Sequence, residues 1–123
     1  THTALTRAQK LQKKAAKVGF DWPSTAPIFD KIDEEINELK QAITEGSSDH
    51  ISEELGDILF AVVNLGRKLG VDSEAALRHC NSKFYNRFNG IEKEIKSKNK
   101  EFSNYSLDEL EDIWQRQKTV KTA

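Results

Sequence analysis

The sequence is poor in the residues that would suit it to several common roles. It holds one cysteine, Cys80, in 123 residues, so no internal disulfide can form and a reducing, cytoplasmic setting is expected. Two prolines and six glycines are few for a turn-rich β-sandwich. No run approaches the ~18–20 apolar residues of a membrane span. The opening THTALTRAQK lacks the apolar centre of a signal peptide, and no membrane partner is expected. Neither sign of charge dominates: 19 Lys and Arg stand against 20 Asp and Glu. That removes any global argument for a nucleic-acid partner. Methionine is absent, an initiator included, as expected of an excised domain or a processed product. There is no G-x-x-x-x-G-K-[ST] phosphate loop, no G-x-G-x-x-G and no nucleophile elbow. Any phosphate chemistry here has to be carried by metals.

What remains is helical periodicity, with no strand pattern and no internal repeat. A first helix is expected from about Ala4 to Val18, burying Leu5, Ala8, Leu11, Ala15 and Val18. After Gly19 and the aromatic loop Phe20-Asp21-Trp22-Pro23, Ser24 or Thr25 caps a second helix, with Pro27 in its first turn. This helix carries Ile28, Ile32, Ile36, Leu39 and Ile43 and ends near Gly46. Ser48 or Asp49 caps a third, with Ile51, Leu55, Ile58, Leu59, Val62, Leu65 and Leu69, which reads as the central and most buried helix. Gly70 stops it. Asp72 caps a fourth, striped by Leu77, Cys80, Phe84, Phe88, Ile91 and Ile95, and a polar loop runs from Ser97 to Ser103. Ser106 to Glu109 matches a capping box for a last helix through Leu110, Ile113 and Trp114. The predicted fold class is all-α: one domain over 1–123, a bundle of about five helices around a central antiparallel hairpin.

The acids of that hairpin are placed rather than scattered. Taking ~100° per residue, Glu35 lies ~60° and Glu38 ~120° to one side of the apolar stripe of helix two. Glu54 and Asp57 occupy the same two offsets, in the same rotational sense, on helix three, whereas Glu34 and Glu53 point away. A short connection makes the two helices antiparallel, so matched flanks fall on one side of the pair. Four converging carboxylates repel one another unless cations neutralise them. Hard oxygen donors favour Mg²⁺, with Mn²⁺ as a substitute. A ferritin-like di-iron site would need Glu-x-x-His pairs, but Ala76 precedes His79 and Ser47 precedes His50 by three. Zinc fares no better, since Cys80, His79, His50 and His2 lack ligand spacing.

Glu34-Glu35-x-x-Glu38 followed by Glu54-x-x-Asp57 resembles the E-E-x-x-E…E-x-x-D signature of the all-α nucleoside triphosphate pyrophosphohydrolases, the MazG family. The stretches LQKKAAKVGFDWP, EELGDILFAVVNLGRKLGVD and ALRHCNSKFYNRF are similar to the catalytic C-terminal domain of the long bacterial MazG proteins. Those proteins carry two copies of the domain, and one is present here. The resemblance implies hydrolysis of a nucleoside triphosphate between the α- and β-phosphates, giving monophosphate and pyrophosphate. It implies Glu35, Glu38, Glu54 and Asp57 as metal ligands, Lys83 and Arg87 as a basic pair, and Trp114 and Lys118 as nucleotide contacts. It also implies a homodimer or larger homo-oligomer.

The residues themselves bear on these roles unequally. Lys83 and Arg87 are one turn apart beside an apolar stripe and suit phosphate oxygens, or else a solvated basic edge. Trp114 and Lys118 are spaced to pack a base and reach a phosphate, although an indole is more often a packing anchor. Phe20 and Trp22 read as packing residues before they read as walls of a base pocket. Asn64, seven residues beyond Asp57, fits a local hydrogen bond or a ligand contact. The basic stripe Arg7, Lys10, Lys14 and Lys17 reads as a solvated face. Glu38 is the expected general base, with Lys83, Arg87 and Lys118 offsetting charge on the phosphates. Two alternatives stand beside this: a pyrophosphatase narrowed to dUTP, dCTP or a damaged nucleotide, and a non-catalytic helical interaction domain.

Overall fold

A computed structural model describes residues 2–119, most of them helical, with no strand among them. Five helices follow in order: α1 (Ala4–Lys17), α2 (Ala26–Glu45), α3 (Ser48–Lys68), α4 (Ser73–Ser97) and α5 (Leu107–Thr119). The expected all-α class and helix number are both met. The chain divides into two compact units, one ending at Ala76 and the other beginning at Leu77.

In the first unit, α2 packs most extensively on α3, and α1 also packs on α3. Only Gly46 and Ser47 separate α2 from α3. Gly46 adopts a left-handed conformation, φ 73°, and its N–H donates to Ala42 O and Ile43 O, closing α2. The cap of α3 is Ser47, one residue before Ser48 and two before Asp49, the expected caps: its hydroxyl accepts from the His50 N–H at 3.4 Å. Thr25 stands at the cap position of α2 but makes no side-chain cap bond. Leu5, Ala8 and Ala15 of the expected α1 stripe are half-buried, and the helix also docks through amides. Gln9 donates to Val71 O (3.1 Å) and accepts from the Ser73 N–H (3.2 Å). Gln12 donates to Phe60 O (3.0 Å). Both glutamines are buried, while Leu11 and Val18 are exposed.

The apolar stripes of α2 and α3 are split between two sides. Ile28, Glu35 and Ala42 are the buried residues of α2, whereas Phe29, Ile36 and Ile43 are exposed. On α3, Ala61 and Val63 are buried and Ile58 and Leu65 are half-buried, whereas Leu55, Leu59, Val62 and Leu69 are exposed. Helix α2 is therefore turned by roughly 60° from the orientation its stripe alone predicts, whereas α3 is buried on two nearly opposite sides, at Ala61 and at Val63. Helix α3 is central as expected, with both α1 and α2 packed on it, but it is not the most buried, since Ala61 and Val63 are its buried residues against Ile28, Glu35 and Ala42 on α2.

The second unit has its core at Ile91, Ile95 and Ile113, joined by Tyr105, Leu110 and Trp114. The expected α4 stripe is buried only at its C-terminal end, since Leu77, Cys80, Phe84 and Phe88 are exposed. A single 3-10 turn, Phe102–Asn104, interrupts the expected polar loop. The capping box of α5 forms as read: the Ser106 N–H donates to Glu109 (2.9 Å) and the Glu109 N–H to Ser106 Oγ (3.1 Å).

Candidate metal centre

Turning α2 inward brings a glutamate to the middle of the helix interface. Glu35 is 4% exposed, between the buried Ile28 and Ala42. One of its oxygens meets the Lys31 ammonium at 2.8 Å. That hydrogen bond, foremost, holds the Glu35 carboxyl below its ordinary value, while burial pushes it up. The same contact raises Lys31.

Two overlapping groups of acids share Glu35. Oxygens of Glu35, Glu54 and Asp57 lie within 4.8 Å of one another, and so do oxygens of Glu34, Glu35 and Glu38. The first group spans α2 and α3, so the two halves of the sequence pattern meet. Glu34 departs from its predicted place. With the buried face centred on Glu35, it lies roughly 100° away rather than opposite, within reach of Glu38.

The cluster carries the strain that packed anions create. The Glu54 carboxyl is pushed up to about 7, first by its hydrogen bond with Glu35, then by burial, then by Glu38. It therefore holds its proton to a higher pH than a free glutamate does. Glu35 Oε2 and Glu54 Oε2 are both buried without a hydrogen-bond partner. Buried carboxylate oxygens are costly to leave unpaired, and a divalent cation is the partner that suits several at once.

A cleft of about 610 Å³ opens beside the acids. Its lining includes Lys31, Glu35 and Asp57 together with Phe20, Asp21, Trp22, Asn64 and Arg67. Phe20 is 82% exposed and Trp22 40%. They are wall residues of the cleft, not the packing residues their aromatic character led us to expect. Asn64 makes a local hydrogen bond, accepting from Arg67 Nε at 2.9 Å, and also faces the cleft. Lys31 and the Asp21–Arg67 contact escaped the sequence reading. Lys31 had a signal, since it stands four residues before Glu35; a contact across 46 residues had none.

The basic and aromatic candidates lie in the second unit. The Arg87 guanidinium sits 5.7 Å from the centroid of the Trp114 ring, and Phe84 packs on the same ring at 5.3 Å. Lys83 and Lys118 are exposed.

A family profile described as the MazG nucleotide pyrophosphohydrolase domain matches residues 25–91. A nucleoside triphosphate pyrophosphohydrolase of Escherichia coli K12 is 43% identical over 119 residues, which cover 94% of this chain and 44% of that protein. A Thermotoga maritima protein named nucleoside triphosphate pyrophosphohydrolase/pyrophosphatase MazG is 38% identical, with the same shares covered. The uncharacterized protein YabN of Bacillus subtilis is 42% identical over 98% of this chain and 25% of its own length. The chain thus spans less than half the length of these relatives.

Proposed function

The chain belongs to the MazG nucleotide pyrophosphohydrolase family, and from that premise we propose that it hydrolyses nucleoside triphosphates to the monophosphate and pyrophosphate, using Mg²⁺ or, in its place, Mn²⁺. The observation that carries this reading is the sharing of buried Glu35 between two acid groups, with unpartnered oxygens on Glu35 and Glu54. The names of the E. coli and T. maritima relatives support the reaction class. The profile match runs through the boundary at Ala76, which supports reading 1–123 as one catalytic domain.

Glu35, Glu38, Glu54 and Asp57 would hold the cations. When bound, these supply a water of lowered pKa and a clamp on the phosphate oxygens. Glu38, exposed at the edge of the cluster, accepts the proton of the attacking water. Lys31 keeps Glu35 anionic. The family resemblance assigns Lys83, Arg87 and Lys118 to the charge on the phosphates and Trp114 to a nucleotide contact. The base lies in the cleft beside Phe20 and Trp22, along α3 from the acids. The exposed Cys80 thiol suits a cytoplasmic enzyme.

A second copy of the chain is the proposed partner. Phe29, Ile36 and Ile43 recur every seven residues on α2, and Leu55, Leu59, Val62 and Leu69 continue the pattern on α3, all exposed. Apolar surface of this extent is uncommon on a monomer.

Following the products of a nucleotide panel by phosphorus NMR tests the reaction. The expected products are monophosphate and pyrophosphate in equal amounts, only with the metal present. Orthophosphate alone, without added pyrophosphatase, contradicts cleavage between the α- and β-phosphates.

A further inference from the structure

The loop joining α1 to α2 supplies Phe20 and Trp22 to the cleft, yet none of residues 18–24 is buried. Packing therefore does not hold it. Backbone bonds tie it to the end of α1 as far as Phe20, whose N–H donates to Ala15 O at 3.0 Å. Beyond that point, among the described residues, the bonds joining the loop to another helix come from Asp21. Its carboxylate accepts from Arg67 Nη1 (3.4 Å), Arg67 Nη2 and Lys68 Nζ (3.1 Å). Both cations belong to the last turn of α3.

Two further bonds make this more than a surface ion pair. Arg67 Nε donates to Asn64 at 2.9 Å, which fixes the plane of the guanidinium. The Trp22 N–H donates to Asp21 Oδ1 at 2.8 Å, so the group that grips α3 also sets the chain direction at the ring. The Arg67 side chain is 11% exposed and that of Asp21 22%, so water screens the pair less than an open surface pair. The Arg67 hydrogen bond, foremost, brings the Asp21 carboxyl down to about 2. The clasp therefore stays ionised throughout the neutral range.

We propose that the Asp21–Arg67 clasp is a positioning device for the base: it holds Phe20 and Trp22 as the cleft wall and so sets nucleotide affinity without a part in hydrolysis. The proposal rests on the nucleotide reading of the cleft given above. Asp21 and Arg67 act through the loop, since the carboxylate and guanidinium are committed to each other, to Trp22 and to Asn64.

The test compares Asp21→Asn and Arg67→Gln with the unaltered protein. Each is given a nucleoside triphosphate, its non-hydrolysable α,β-methylene analogue, or inorganic tripolyphosphate, always with Mg²⁺. Each variant is expected to raise the KM for the nucleotide and the Kd for the analogue about tenfold, the scale of one lost base–aromatic stack. The kcat stays within about twofold, because the chemical step is untouched. Tripolyphosphate, which has no base, binds as before. The double variant is no worse than either single one, because the two residues act as one unit. Equal weakening of tripolyphosphate and nucleotide overturns the proposal, as does a fall in kcat at constant KM or additive single effects. Should a variant fail to fold, Asp21→Glu and Arg67→Lys keep the charges, shift the geometry, and carry the same comparison. An unaltered protein that bound the analogue but released no pyrophosphate would remove the hydrolytic reading alone. The analogue's Kd would still decide the clasp.

Discussion

A carboxyl that keeps its proton near neutral pH records the anions around it, and at Glu54 those are Glu35 and Glu38. Its ordinary value is 4.5 and its folded value about 7, so between these limits the native state binds more protons than the unfolded one. The stabilising contribution is therefore complete below about 4.5 and is lost as the pH rises through about 7. Metal-free protein should lose thermal stability across that interval, and Glu54→Gln should flatten the dependence. Thermal melts at several pH values check both. Lys31 opposes the same repulsion, since its ammonium is the neighbour that pairs buried Glu35. Lys31→Met should cost about 1–2 kcal/mol in urea unfolding, less than breaking a fully buried pair because the lysine end reaches water. Saturating Mg²⁺ should recover part of it. The acids were legible in the sequence because their spacing is local to two helices. The partners that tune them were less so: Glu35 meets Glu54 across 19 residues, and Asp21 meets Arg67 across 46.

At the scale of the element, periodicity located all five helices, and the Ser106–Glu109 box and the Gly46 stop formed as read. Rotation was harder to read. A stripe shared by two packing sides has its centre between them, so Glu35 was assigned to a flank when it stands in the middle of the buried face. The docking of α1 through Gln9 and Gln12 was also hidden, because buried amides leave no hydrophobic period. Gly46 shows how the acids are kept in register. Its left-handed φ of 73°, with nothing within 4 Å of an added Cβ, makes the cost of Gly46→Ala purely conformational. About 1 kcal/mol of stability should be lost, read as a lower melting temperature, with Mg²⁺ affinity little changed.

At the scale of the whole molecule, Phe29, Ile36 and Ile43 on α2 and Leu55, Leu59, Val62 and Leu69 on α3 are exposed among the described residues, and this is the surface proposed for the second copy. Leu59→Glu should place a charge in that surface and halve the particle mass seen by light scattering after gel filtration. A single-copy mass for the unaltered protein would contradict the oligomer. The chain covers 44% of its E. coli relative, so the assembly tested is that of this domain. The reaction class was legible through family motifs, whereas base choice was not, because the cleft wall depends on a loop held by a distant ion pair. Hydrolysis at this site requires that the shared carboxylates hold divalent cations. Calorimetric titration of Mg²⁺ into the protein near pH 6.5, repeated in buffers of different ionisation enthalpy, tests it most directly. The account predicts saturable binding with release of the Glu54 proton, abolished in Asp57→Ala. Absence of saturable binding, or binding unchanged by Asp57→Ala in a folded protein, would contradict it.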